Sequence, residues 1–94
     1  MKRVVYAGHL KLRLAIRNIP FEIPEKIYRE ALEHYYDRDT DHKIATESLR
    51  FGEKTKEVMV AYDEFADRVE IIIIHPLKSK QKQQRIESRR WKRL

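Results

Sequence analysis

The sequence predicts a single α+β domain, in which two N-terminal helices pack on a three- to four-stranded antiparallel sheet. Three observations lead to this prediction. A chain of 94 residues has room for one hydrophobic core. Apolar residues recur at helical spacing early in the chain and with a period of two further along. Few apolar residues follow Leu77. We therefore expect one domain over residues 1–94, with residues 78–94 as its basic C-terminal tail.

The segment 8–19 carries two conflicting signals. Its larger apolar residues alternate, as in a strand; they are Leu10, Leu12, Leu14 and Ile16. The residues between them are mostly Lys, Arg and Ala, which favour helices, and Pro20 prevents continuation. We interpret the segment as a helix. Residues four apart then share a face, which places His9, Arg13 and Arg17 on one stripe.

A second helix is predicted to begin at Pro24, because proline suits a first helical turn and Glu25 lies near the positive end of the helix dipole. The apolar residues that follow are spaced as one broad stripe; they are Ile27, Tyr28, Ala31, Leu32, Tyr35 and Tyr36. The acidic residues between Asp37 and Asp41 favour a turn, so we expect the helix to end there.

From residue 42 the pattern predicts three strands of an antiparallel meander. The first covers 42–51, and a turn at 52–55 leads to the second, in which alternation separates Val58, Val60 and Tyr62 from Met59 and Ala61. The third follows a loop at 63–67 and contains four consecutive isoleucines, Ile71 to Ile74, which suit a central strand buried on both faces. Val4 and Val5 are candidates for a further edge strand.

Charge is distributed unevenly along the chain. Residues 1–20 have a net charge of +5, residues 21–77 of −6 and residues 78–94 of +7, within a total of +6. If the fold brings the two basic ends together, one face of the protein is cationic, and a partner such as a nucleic acid is favoured. A solvated basic tail is the alternative interpretation.

Several classes of function are excluded or disfavoured by composition. The chain has no cysteine, and therefore no disulfide, thiolate metal site or cysteine nucleophile. It has no glycine-rich phosphate loop. The four histidines are dispersed without a second close ligand, so we expect no metal site and no cofactor. No apolar run has membrane-spanning length, and we expect a cytoplasmic protein without a membrane partner.

His75 is the strongest candidate for a catalytic residue. It follows the isoleucine-rich strand, and regular alternation would place it on the side of Ile71 and Ile73. Pro76 then ends the strand, because proline cannot donate to the sheet. Imidazole titrates near neutrality and serves as an acid or a base. A capping or core histidine without a catalytic role is the commoner alternative.

Two basic segments are candidates for binding phosphates. The stripe of His9, Arg13 and Arg17 offers charge and bidentate hydrogen bonds, although a solvated helix face would have the same pattern. The tail contributes further bases; they include Lys78, Lys80, Lys82, Arg85, Arg89, Arg90 and Lys92. Trp91 could stack on a base. We prefer to assign it as the apolar anchor of an otherwise polar tail.

These motifs resemble those of the RelE/ParE-type toxin superfamily. The spacing His9-x3-Arg13-x3-Arg17 is similar to the first helix of an uncharacterised subgroup. That subgroup also has a His-Pro step at the end of its last strand, as at residues 75–76, and a tail Arg-Ile-x-Ser-x-Arg-Trp, as at residues 85–91. Members often carry glycine where this chain has Arg89. The resemblance spans nearly the whole chain.

The resemblance implies a RelE-like fold and a small toxin of a toxin–antitoxin pair, neutralised by a separate antitoxin protein. It implies a metal-independent endoribonuclease, acting on free RNA or on the ribosome, in which His75 or His9 moves protons. The cations that would stabilise the phosphorane are Arg13, Arg17, Arg85 and Arg90. The expected RNA-binding residues are Lys78, Lys80, Lys82, Arg89 and Lys92. The alternatives are a non-catalytic nucleic-acid-binding module and a ParE-like toxin that acts by protein–protein contact.

Overall fold

The computed structural model describes residues 2–94, except for the side chain of Phe51, and this part of the chain forms three helices and one six-stranded sheet. The helices are α1 (Gly8–Ile16), α2 (Ile23–Glu30) and α3 (Gln81–Glu87). The strands are β1 (Arg3–Tyr6), β2 (Glu33–Asp37), β3 (Lys43–Phe51), β4 (Lys54–Glu64), β5 (Arg68–Pro76) and β6 (Trp91–Arg93). Their order across the sheet is β1-β5-β4-β3-β2-β6. β1 runs parallel to β5, and the other neighbours are antiparallel.

The predicted fold class is wrong, because it has one helix and at least two strands too few. The first difference lies after α2, which ends where Ala31 adopts an extended conformation with φ −61° and ψ 133°. The segment Glu33–Asp37, predicted to continue the helix, is β2, and its Tyr35 pairs with Ile44 of β3. The pair Tyr35-Tyr36 fits a helical stripe in sequence, but pairing with β3 overrides that local preference.

The second difference is the C-terminal segment, which was predicted to be a tail. Residues 81–87 form α3, and Trp91–Arg93 form β6, an edge strand beside β2. Trp91 is only 2% exposed and stacks on Tyr35 with ring centroids 5.4 Å apart. Trp91 is therefore the apolar anchor that the sequence predicted, but it holds a strand and a helix in place.

Residues 8–16 form a helix, as predicted. Leu10 and Leu14, four residues apart, are buried against the sheet, whereas Leu12 and Ile16 are 63% and 69% exposed. The alternation of apolar residues in this segment therefore does not reflect a strand. The predicted edge strand around Val4 and Val5 is also present as β1.

The two faces of the sheet have different coverings. α1 and α2 pack on one face, here called the helix face, over Val58, Val60 and Tyr62 of β4. The other face, here called the α3 face, carries a smaller cluster; its buried members are Tyr35, Ile44, Met59, Ala61 and Trp91. The separation of the β4 side chains matches the prediction from alternation. Among residues 2–94, no helix is long and apolar enough to cross a bilayer.

A bulge on β5 determines which face His75 joins. Tyr62 of β4 pairs with Ile71, but the preceding Ala61 pairs with Ile73, so Ile72 is an extra residue. Beyond the bulge, Ile74 packs in the helix-face core and Ile73 in the α3-face cluster. His75 pairs with Met59 and lies on the α3 face. The predicted placement of His75 on the side of Ile71 is therefore wrong, because it assumed regular alternation.

Candidate nucleic-acid interface

An open groove of about 840 Å³ begins at His75 and follows the connection from β5 to α3. Strand β4 forms one wall and the start of α3 forms the other. The lining residues are Thr55, Lys56, Glu57, His75, Pro76, Leu77, Lys78, Ser79, Lys80, Lys82 and Gln83. Four of these are lysines and one is glutamate, so the groove is cationic.

The predicted catalytic histidine is surrounded by positive charge. Burial lowers the pKa of the His75 imidazole below its ordinary value of 6.5. Four cations lower this pKa further; in order of effect they are Arg17, Arg85, Arg13 and Lys78. Arg13 and Arg17 lie at the end of α1, Arg85 lies in α3, and Lys78 lies in the loop between β5 and α3. The imidazole is therefore held neutral at neutral pH, and its ring can accept a proton.

Three elements that are distant in the chain carry cations within electrostatic range of His75. Of these, α1 contacts β5 on the helix face of the sheet. The Ala7 N–H donates a hydrogen bond to the Ile71 carbonyl at 2.9 Å, which fixes the start of α1 beside Ile71. Arg13, Arg17 and Arg85 are thus within electrostatic range of His75. None of the three lines the groove, and α1 packs on the opposite face of the sheet from His75.

Lys82 lies in the groove wall but is already ion-paired. Its ammonium donates to Glu33 at 2.6 Å and to Glu57 at 3.1 Å. Burial lowers the pKa of Lys82, but these two hydrogen bonds outweigh burial and raise it above the ordinary value. The side chain therefore ties α3 to strands β2 and β4, which fixes the groove wall.

Arg90, predicted to stabilise a phosphorane, is held by acids instead. Its Nε and Nη2 donate to the two carboxylate oxygens of Asp37 at 2.9 and 3.0 Å. Asp39 lies 3.4 Å from the same Nε. The hydrogen bonds to Asp37 raise the pKa of Arg90. A guanidinium engaged in a bidentate pair has few donors left for a phosphate, so this arrangement supports a structural role.

Two other predicted residues lie away from His75. His9 is at the start of α1, eight residues before Arg17, which corresponds to about 12 Å along a helix axis. Lys92 pairs with Tyr36, on the opposite side of β6 from Trp91, so it lies on the helix face. The structure does not bring either residue into the groove.

The remaining predicted residues lie on exposed connections. Lys78 and Lys80 line the groove, and Lys80 adopts a left-handed conformation with φ 65° just before α3. Arg89 is exposed after α3 and also has a positive φ, 66°. A left-handed conformation, which favours glycine, is therefore occupied by arginine at position 89.

One lysine of the groove was not among the predicted residues. Lys56 lies on β4 and lines the groove opposite the β5–α3 connection. Because it belongs to the acidic middle part of the chain, its charge gave no local signal. Among residues 2–94, no three His, Asp or Glu side chains are grouped closely enough to hold one metal ion.

Comparison of the chain with protein-family models, with curated proteins and with solved structures found no significant match. The resemblance to RelE/ParE-type toxins therefore stays a prediction from the motifs of the chain.

Proposed function

We propose that this protein binds RNA in the His75 groove and cleaves it without a metal ion. The observation that supports this proposal best is the open groove that His75 shares with four lysines, with Arg13, Arg17 and Arg85 within electrostatic range of the imidazole. RNA carries its own nucleophile, the 2′-hydroxyl, so a base and a cationic pocket suffice for chain cleavage.

The proposed reaction is an intramolecular transesterification. Neutral His75 accepts the proton of the 2′-hydroxyl while that oxygen forms a bond to the adjacent phosphorus. The bond from phosphorus to the 5′-oxygen breaks, and this oxygen takes a proton from the Lys78 ammonium or from water. The products are a 2′,3′-cyclic phosphate and a 5′-hydroxyl end. The guanidinium groups stabilise the doubly charged phosphorane between these steps.

The biological setting that we propose is a toxin restrained by an antitoxin protein. This part of the proposal rests on the motif resemblance and on the net charge of +6, which would favour an acidic partner. A neighbouring gene for a short acidic or DNA-binding protein would support it.

A second candidate function is RNA binding without cleavage. His75 is the only histidine among the described groove-lining residues, so a second imidazole does not supply the acid there. The same cations would bind phosphates whether or not the backbone is cut. The two candidates differ in one measurable property, the integrity of the bound RNA.

The test incubates a long RNA with purified protein in EDTA, with and without ribosomes. We expect wild type to cleave, and His75→Ala to cleave roughly two to four orders of magnitude more slowly, the usual contribution of a positioned base. RNA affinity should survive, because a neutral ring adds little to phosphate binding. His42→Gln is the matched control, since His42 lies at the other end of the sheet, beside Asp63.

Intact RNA in every wild-type reaction would reject RNA cleavage and would leave RNA binding without cleavage as the function. Equal cleavage by wild type and His75→Ala would remove His75 from the mechanism. Absence of RNA binding by wild type would reject both candidates and favour a toxin that acts by protein contact.

A further inference from the structure

A second group of arginines lies at the opposite end of α3 from the β5–α3 connection. Arg38 is in the turn after β2, and Arg89 is in the turn between α3 and β6. Together with Asp39, Ser88 and Arg90 they line an open depression of about 450 Å³. The Arg38 amide donates to the Arg90 carbonyl at 2.8 Å, which fixes the two turns against each other.

The charge of this depression is not neutralised by its neighbours. Arg90 is engaged by Asp37, and Asp39 also lies within 3.4 Å of Arg90. The guanidinium groups of Arg38 and Arg89 are exposed and make no side-chain hydrogen bond or ion pair with the described residues. Two planar groups with paired N–H donors therefore face solvent at a rigid junction of turns, which suits a phosphate.

Arg85 connects this depression with the groove. Its guanidinium lies over Trp91, 5.3 Å from the ring centroid, on α3. Burial and the charge of Arg90 lower the pKa of Arg85, and Arg85 in turn lowers the pKa of His75. Arg85 is thus within electrostatic range of both sites. Lys80, Arg85 and Arg89 therefore place one cation before, one within and one after α3.

The sheet register determines the separation of the two sites. His75 is level with Glu33, three strands across the sheet, and Arg38 lies five residues beyond Glu33, so the two sites are about 20 Å apart. Phosphates of a stacked strand follow one another at about 3.4 Å along its axis, so this distance corresponds to about six nucleotides. A single strand that crosses α3 could occupy both at once.

We propose that Arg38 and Arg89 form a second phosphate-binding site, which holds the same RNA strand about six nucleotides from the phosphate at His75. The inference rests on the proposed function in taking RNA as the ligand, but it requires no cleavage. It makes the preferred ligand a single-stranded RNA that is long enough to cross α3.

The test measures binding of 2′-fluoro RNA oligonucleotides, which cannot undergo transesterification, by fluorescence anisotropy. The variant is Arg38→Gln with Arg89→Gln. We expect its Kd for an octanucleotide to rise about tenfold and the log–log salt slope to fall by about 1.4, for two phosphate contacts on a single strand. Its Kd for a dinucleotide, which is too short to reach the second site, should equal that of wild type.

The matched control is Lys11→Gln with Lys26→Gln, which removes the same charge from exposed positions on α1 and α2. Equal losses of octanucleotide affinity in the two variants would overturn the second site alone. If wild type binds neither oligonucleotide, the proposed function fails and this inference fails with it. Arg38→Lys with Arg89→Lys retains the charge and should keep the wild-type salt slope, which shows that any loss comes from the cations and not from unfolding.

Discussion

The carboxylate of Asp37 is a buried charge that links the end of β2 to Arg90, the residue before β6. Asp37 is 2% exposed and accepts hydrogen bonds from the Arg90 guanidinium and, at 3.0 Å, from the Asp39 amide. Burial acts to raise the pKa of Asp37, but these donors outweigh burial and lower it below the ordinary value. The group is therefore charged at neutral pH, and Arg90 is its counter-ion.

Arg90→Ala tests this role. Removing the cation leaves a carboxylate buried without its partner, so we expect the free energy of unfolding to fall by about 2–4 kcal/mol. Urea denaturation followed by circular dichroism measures the change. Arg38→Ala is the control, because its side chain is exposed and the expected change is within about 0.5 kcal/mol. Equal stability of Arg90→Ala and wild type would contradict the structural role of the pair.

The sequence alone could not show that Arg90 is already paired with Asp37. Its partner Asp37 lies 53 residues earlier and was predicted to begin a turn, not to end a strand. The same limit applies to Lys82, whose acids come from β2 and β4. A cation's availability for a ligand depends on long-range pairing, which composition and spacing do not encode.

At the level of elements, the sequence predicted those with a long periodic signal. β3, β4, β5 and α1 were all identified. Three elements were missed or misassigned. One is α3, which lies in the predicted tail. The other two are short strands next to each other at one edge of the sheet: β2 has five residues and β6 has three. β6 contains one apolar residue and exists because β2 offers a free edge for Trp91 to cover.

Trp91→Ala tests how much β6 and α3 depend on this anchor. We expect a loss of about 3–5 kcal/mol, because a fully buried ring is removed from the α3-face cluster. Trp91→Phe is the matched control and should cost less. The Trp91 Nε1 has no hydrogen-bond partner among the described residues, so phenylalanine also removes an unsatisfied donor. Thermal unfolding of both variants compares them, and equal losses would show that the ring itself is not the anchor.

For the molecule as a whole, the uneven charge of the chain predicted a cationic face. Cations of both basic segments lower the pKa of His75, Arg13 and Arg17 from the first segment and Arg85 from the second, so both segments lie within electrostatic range of this residue. The first and last strands, β1 and β6, lie at opposite edges of the sheet. The position of His75 depends on the bulge at Ile72, and the isoleucine run around it gives no sign in sequence of where an extra residue would fall.

A second histidine is held neutral at the other end of the sheet. The His34 Nδ1 lies 2.7 Å from the Tyr62 hydroxyl. Burial raises the pKa of Tyr62, so the phenol keeps its proton at neutral pH. Burial also lowers the pKa of His34 below 6.5, and this effect outweighs a hydrogen bond to the Ala31 backbone that acts in the opposite direction. Like His75, His34 therefore resists protonation in the folded protein.

These two histidines predict how the stability of the whole protein varies with pH. Below about pH 6.5 the unfolded chain takes up protons that the folded chain binds less readily, so unfolding becomes more favourable as the pH falls. The contribution of the two neutral histidines to the free energy of unfolding is fully present above pH 6.5. It is lost as the pH falls through the lowered pKa values of the folded state. We expect the urea midpoint to decrease between about pH 7 and pH 5. His34→Gln combined with His75→Gln should make that decrease smaller, because both shifted groups are gone, while glutamine at position 34 can still accept from Tyr62. A wild-type midpoint that is constant over this range, or an undiminished slope in the double variant, would show that neither histidine is protected from protonation by the fold.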